Sequence, residues 1–320
     1  MSAADRGEAS AEQKAKEALE FDAQTRERLA HGFVPDLRRL AQVDWFYNNV
    51  WRDPEMALLH WQPRIQKIVD LAAQQGGRVL ELGCGCGMLS LEMARHGLDV
   101  TGVDLSPVSI EVADRFRESN PFTEGFGRLN YICADFGEQE WEDASFDSVV
   151  FFRSLHHFPD IHQVMEKTHA LLKPGGHLLI SEPVRSHFNQ DSALMAAVLR
   201  LVLPTWEPFS LKMADPWDEK RIEENITKIF EEYTYEGEHH QSEMDNSIDS
   251  IEDIKAAVEA HLTIVEEEHS DAFTDKLLGG LRGDHRYDLA RMLKSLDAYM
   301  IKNGMLPPTS LELHAQRSGV

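Results

Sequence analysis

The chain has 320 residues, 42% of them hydrophobic and 27% charged, a balance that excludes a disordered or low-complexity polymer and fits a folded globular protein. Its 32 basic and 55 acidic side chains leave a net charge of −23, which repels phosphate backbones and argues against a nucleic-acid partner. Three cysteines make no disulfide framework at this length, no basic-then-apolar leader stands at the start, and the longest nearly unbroken apolar run, at 193–204, is shorter than the roughly 20 residues of a membrane span; the expectation is a cytoplasmic protein without stable membrane insertion.

In chain order, residues 8–43 are charged and helix-favouring, and an aromatic patch, DWFYNNVWRDP, follows. Residues 1–60 thus read as an N-terminal helical extension ahead of a domain over 61–320. HWQPRIQKIVDLAAQQGG carries Ile65, Ile68, Val69, Leu71 and Ala72 at helical spacing and ends on glycines. An alternation then begins: strand RVLELG, helix MLSLEMARHG, strand DVTGVDLS, helix PVSIEVADRFRESN, strands LNYICADF and FDSVVFFRS, helix DIHQVMEKTHALLKPGG and strand HLLISEP. Strands alternating with helices through short connections predict a doubly wound, mostly parallel α/β sheet. Past Glu182 the rhythm breaks. Residues 184–250 hold helical apolar patches interrupted by prolines and read as an insertion. The pattern resumes with helix SIEDIKAAVEAH, strand LTIVEEEHS, helix RYDLARMLKSLDAYMIKNG and closing strand TSLELHAQ, which brings the sheet to seven strands.

The chemistry concentrates at strand ends. VLELGCGCGMLS places Gly83, Gly85 and Gly87 directly after a strand and before a helix, where bare backbone lets a ligand approach the positive helix end. The spacing is G-x-G-x-G rather than the G-x-G-x-x-G of dinucleotide folds, which disfavours a nicotinamide cofactor. Asp104 ends the second strand, where a carboxylate can accept from two ribose hydroxyls, and Asp135 ends the third, within reach of an adenine amine. With Glu81, these acids suit a ligand carrying a ribose, an adenine and a cation.

The stretches VLELGCGCGMLSLEMARHGLDVTGVDLSPVSIEVA, ICADF, FDSVVFFRSLHHFPD and LLKPGGHLLISEP occur in an order and spacing that resemble the class I S-adenosylmethionine-dependent methyltransferases, in particular the small-molecule branch of ubiquinone- and menaquinone-type enzymes. The resemblance implies a Rossmann-like methyltransferase fold with S-adenosylmethionine as cofactor. Gly83, Gly85 and Gly87 would line its methionine and ribose portion, and Glu81 would reach the ammonium through water or a neighbour. Asp104 would hold the ribose with Leu105 beside the adenine, Asp135 and Phe136 would meet the adenine, and the main chain at Arg153 and Ser154 would face the methionine end.

Cys84 and Cys86 then occupy positions where the family carries small residues, with no partners for a zinc site, and Cys133 reads as a buried strand residue. Methyl transfer from a sulfonium needs a base only where the acceptor carries a proton. His156 is the first candidate, followed by His157; the competing reading makes LHHFPD a structural turn. Glu182 either contacts an acceptor or caps a turn. His239 and His240 read as surface, and Glu182, His187 and Asp191 lack metal-site spacing. The insertion leaves the sheet from a carboxyl end and presents Met195, Leu199, Val202, Leu203, Trp206 and Phe209, which suggests an acceptor lid for an apolar or aromatic small molecule. The alternative is core packing or a homodimer interface. Between Asp218 and Glu268, 17 acids against 4 bases disfavour a phosphorylated acceptor. The leading expectation is methyl transfer to a small acceptor, with O-methylation ahead of N- or C-methylation. Its rival is a fold relative that binds the cofactor without transferring methyl, as a sensor or partner subunit.

Overall fold

The computed structural model describes residues 11–213, 218–234 and 250–319. In chain order the elements are α1 (Ala11–Ala30), α2 (Pro54–Gln75), β1 (Arg78–Leu82), α3 (Met88–Arg95), β2 (Asp99–Asp104), α4 (Pro107–Glu118), β3 (Arg128–Cys133), β4 (Phe146–Phe152), α5 (Ile161–Leu171) and β5 (Leu172–Pro183). There follow α6 (Gln190–Val202), α7 (Phe209–Lys212), α8 (Glu219–Thr234), α9 (Ile251–Glu259), β6 (Thr263–Ser270), α10 (Asp275–Leu278), α11 (Arg286–Lys302) and β7 (Ser310–Gln316).

The strands form one seven-stranded sheet in the order β3-β2-β1-β4-β5-β7-β6. The pairs from β3 to β5 are parallel, and β7 runs antiparallel to both β5 and β6. Side chains alternate between faces along each strand. Val79, Val100, Val150 and Leu179 point toward α2, α3 and α11, whereas Leu80, Leu82, Val149, Phe151 and Ile180 point toward α5 and α9. Two apolar cores therefore sandwich the sheet, as a doubly wound fold requires. The order reverses between β1 and β4, so the carboxyl ends of β1, β2 and β4 border the crevice where such sheets bind ligands.

Local sequence sets where the helices begin. Asp53 caps α2 by accepting from the N–H groups of Glu55 and Met56, with Pro54 at the first helical position. Ser106 caps α4 and Asp160 caps α5 in the same way. In the insertion, α6 packs on α8, and Phe188 stacks on Tyr233 with ring centroids 4.2 Å apart. His239 and His240 lie outside the described residues. Cys133 corrects the sequence reading: it is exposed. It ends β3, the edge strand, on the same face as the buried Leu129 and Tyr131 but at the strand end, where the burial of that face stops.

Candidate cofactor and active site

A cavity of about 530 Å³ lies at the carboxyl ends of β1 to β4. Gly83, Gly85, Asp104, Leu105, Asp135 and Phe136 all line it, together with Arg153 and Ser154. Eight of the ten residues expected at the cofactor are thus gathered around one space.

The glycine turn after β1 is shaped by close approach. Gly83 has φ +72, and a Cβ there would stand 2.4 Å from that of Ser154. Gly85 has φ +51, and a Cβ on it would meet nothing within 4 Å, so its backbone is bare toward open space. The Gly85 N–H donates to Asp104 Oδ2 at 2.8 Å, and the Ser106 N–H donates to Oδ1 at 2.8 Å. Asp104 therefore fixes the turn as well as facing the cavity. Burial pushes its carboxyl above the ordinary value, against those two N–H groups that pull it down.

The loop after β3 makes the next wall. Asp135 Oδ1 accepts from the Gly137 N–H at 2.7 Å, while Oδ2 lies 2.5 Å from Lys14 Nζ. Lys167 Nζ donates to the carbonyls of Phe136, Gly137 and Gln139 at 2.5, 2.9 and 3.0 Å, which holds this loop against α5.

Two expected residues do not line the cavity. Glu81 is buried and accepts from the Ser90 hydroxyl on α3. Burial pushes its carboxyl up to about 8, opposed by Ser90. Any effect on a ligand passes through the turn it supports. Gly87 opens α3, and a Cβ on it would strike the Tyr131 hydroxyl, so its lack of a side chain serves packing.

The segment after β4 sends its two histidines to different places. His156 is 3% exposed and does not line the cavity; its Nδ1 lies 2.7 Å from Glu182 Oε2. Glu182 Oε1 accepts from the N–H groups of Ser154 and Leu155 at 2.6 and 2.7 Å. A carboxylate buried at the end of β5 thus draws the chain after β4 inward and takes the His156 ring with it. Glu182 caps that turn, and burial pushes its carboxyl up to about 7 against the two backbone donors. The neighbouring His157 lines the cavity instead, with Nδ1 3.0 Å from Glu17 Oε1 on α1. Arg153, between β4 and this turn, has φ +55, a region non-glycine residues rarely occupy, and its guanidinium lies 4.9 Å from the centroid of the Trp61 ring.

Burial raises the Cys84 and Cys86 thiols above their ordinary range, consistent with small, unreactive positions in the turn. Among the described residues no three His, Cys, Asp or Glu side chains gather to hold a metal.

Sequence reasoning expected a helix in the N-terminal extension but missed its place at the cavity. Lys14, Glu17, Phe21, Thr25 and Arg28 line the outer side of the cavity. Their spacing of three and four residues is helical, but the face mixes charge with one aromatic ring and shows no apolar stripe. None of the described residues of 184–250 lines the large cavity. Arg185, Phe188 and Tyr233 line a separate small one of about 20 Å³, with Pro183, Asp275, Thr309 and Arg153, which borders both. Trp206 packs against Gly280 and Tyr47, and Phe209 is exposed.

The methyltransferase domain family matches residues 57–241, more than half of the chain. A ubiquinone biosynthesis O-methyltransferase of Bordetella avium (strain 197N) is 37% identical over 160 residues, 48% of this chain and 64% of that protein. One of Coxiella burnetii (strain RSA 493 / Nine Mile phase I) is 36% identical over 118 residues, 37% of this chain and 48% of that protein. The matches span about half to two thirds of these relatives' length. Among solved structures, geranyl diphosphate C-methyltransferase from Streptomyces coelicolor A3(2) superposes with a TM-score of 0.55 at 14% identity, covering 97% of this chain and 99% of that one. The [4+2]-cyclase SpnF superposes at 0.51 and 16% identity, covering 98% of each chain. The two superpositions show the fold, and the chain belongs to the methyltransferase domain family, with S-adenosylmethionine as its cofactor.

Proposed function

We propose that the protein transfers the methyl group of S-adenosylmethionine to a hydroxyl of a small, apolar or aromatic molecule. The observation that carries the reading is the bare Gly85 backbone bonded to Asp104, with Asp135 across the same cavity. The hydroxyl preference follows the O-methyltransferase relatives.

Asp104 would hold the ribose hydroxyls, the Asp135 and Phe136 loop the adenine, and the main chain at Gly83, Arg153 and Ser154 the methionine end. When bound, the cofactor supplies an already activated methyl group. The protein's work is then to align the acceptor and exclude water. A hydroxyl acceptor must also lose its proton, and His157 is the group we assign to take it, with the Glu17 carboxylate stabilising the resulting imidazolium.

The acceptor is assigned to the Arg153 end of the large cavity, within the space His157 also lines and next to the insertion. Support comes from the small cavity that Arg153 shares with Phe188 and Tyr233 of 184–250. Trp206 and Phe209 line neither cavity, so the aromatic pair carries the test. Phe188→Ala is expected to raise the acceptor KM several-fold with S-adenosylhomocysteine affinity unchanged, measured by steady-state kinetics and calorimetry. Loss of cofactor affinity in step with KM would remove the insertion from the acceptor site.

Titration calorimetry tests the cofactor assignment: S-adenosylhomocysteine should bind at one site and a nicotinamide dinucleotide should not. Gly85→Val should abolish that binding, because the side chain would project where a ligand approaches and would sit at a positive φ. For the base, His157→Ala should lower kcat by roughly 10²- to 10⁴-fold with cofactor affinity changed only a few-fold. His156→Ala should instead lower thermal stability, since it strips Glu182 of a buried partner. The reverse pattern would restore His156 as the base.

A further inference from the structure

Helix α1 lies outside the matched 57–241 region, yet it makes the outer wall of the cavity. Polar and ring contacts hold it along its length. Near its start Lys14 Nζ is 2.5 Å from Asp135 and 3.6 Å from Glu138. In the middle, Glu17 meets His157 at 3.0 Å, and the Phe21 ring stands edge-on to His157 at 5.1 Å. Further along, Asp22 accepts from the Ser106 hydroxyl at 2.6 Å and the Val108 N–H at 3.2 Å, and the Thr25 and Ser109 hydroxyls bond at 3.1 Å. Among the described residues, no α1 side chain belongs to either apolar core. An element held by polar contacts without core burial opens at a small fraction of the cost of global unfolding.

We propose that α1 is a strap that closes over the bound cofactor and must lift for it to leave, with Lys14 tying its first turn to the acid that meets the adenine. The inference rests on the cofactor reading above. Asp22 and Thr25 fasten the second half of the helix to the start of α4, while Lys14, Glu17 and Phe21 lie over the pocket. The first half is therefore the part that lifts. Ionised Asp135 has more acceptor sites than Lys14 and Gly137 use, so an adenine amine can bond to it while Lys14 stays in place. Cofactor and strap then reinforce one another through a shared carboxylate, and the coupling is reciprocal.

The test uses the full chain with S-adenosylhomocysteine as the probe. Hydrogen exchange of residues 11–30 should slow when it binds. Stopped-flow displacement should show release about tenfold faster in Lys14→Ala and in Phe21→Ala, a change of about 1.4 kcal/mol, while Lys14→Arg stays close to wild type. Wild-type release rates in both alanine variants, with exchange of residues 11–30 indifferent to the ligand, would overturn the strap while leaving the cofactor assignment standing. Failure of the wild-type chain to bind S-adenosylhomocysteine would overturn the cofactor reading, and the strap with it.

Discussion

Asp104→Ala is expected to lower affinity for S-adenosylhomocysteine by roughly 10²- to 10⁴-fold, because the two charge-assisted hydrogen bonds to ribose hydroxyls proposed above would contribute about 1.5 to 3 kcal/mol each. The structure adds a second route to the same loss. Asp104 accepts from the Gly85 N–H, so its removal also frees the turn that approaches the ligand. Asp104→Asn separates the two in part: its amide oxygen can still accept from the Gly85 N–H, while the Ser106 N–H loses its acceptor and the negative charge is gone. We expect the asparagine variant to lie between wild type and alanine. Calorimetric affinities for all three chains check this, and an alanine variant that binds like wild type would remove Asp104 from the site.

Glu182→Ala carries the largest expected effect on stability. It leaves the N–H groups of Ser154 and Leu155 and the His156 ring without their buried acceptor, at a cost of about 3 to 5 kcal/mol. Glu182→Gln should be mild. Both backbone donors use Oε1, which the amide oxygen replaces, and the amide N–H₂ can donate to His156 Nδ1 in its other tautomer.

The pH dependence has a definite sign. Burial raises the Glu182 carboxyl from the ordinary 4.5 to about 7 in the folded chain, so between these values the folded state holds a proton that the unfolded state has lost. Its contribution to stability is therefore full below about 4.5 and is lost as pH rises toward 7. Glu81, raised to about 8, acts in the same direction over a window reaching one unit higher. Denaturant midpoints at pH 5 and pH 8 should differ less in Glu182→Gln than in wild type. An unchanged difference would show that Glu182 does not titrate in this window.

The parallel part of the sheet was legible because its signals are local. A glycine-ended helix precedes RVLEL, capped helices follow the strands, and each expected strand lies in the sheet. Asp104 and Asp135 were legible for the same reason: a strand end fixes where a side chain emerges. The two histidines were harder. Adjacent residues in a turn diverge, and which of them faces the cavity is decided by Glu182, 26 residues beyond His156 and one strand over. Cys133 was misread because it shares the face of the buried Leu129 and Tyr131 yet stands at the very end of the edge strand, where that burial stops. The α1 wall was hidden by its chemistry, since a helix that covers a polar ligand needs no apolar stripe to show its inward face. The break in rhythm after Glu182 was legible, but the place of Phe188 and Tyr233 at the small cavity depends on how the two rings stack, a contact between positions 45 residues apart.

Methyl transfer itself is tested most directly by following the label. The wild-type chain is incubated with S-adenosylmethionine carrying an isotopically marked methyl group and a panel of catechols, phenols, quinols, amines and prenylated acceptors, and the products are read by mass spectrometry. The account predicts marked methyl on an oxygen of an aromatic or apolar acceptor, with one S-adenosylhomocysteine formed per product. A label found on nitrogen or carbon, or a chain that binds S-adenosylhomocysteine but forms none from the marked cofactor with this panel and with a small-molecule extract, would contradict it.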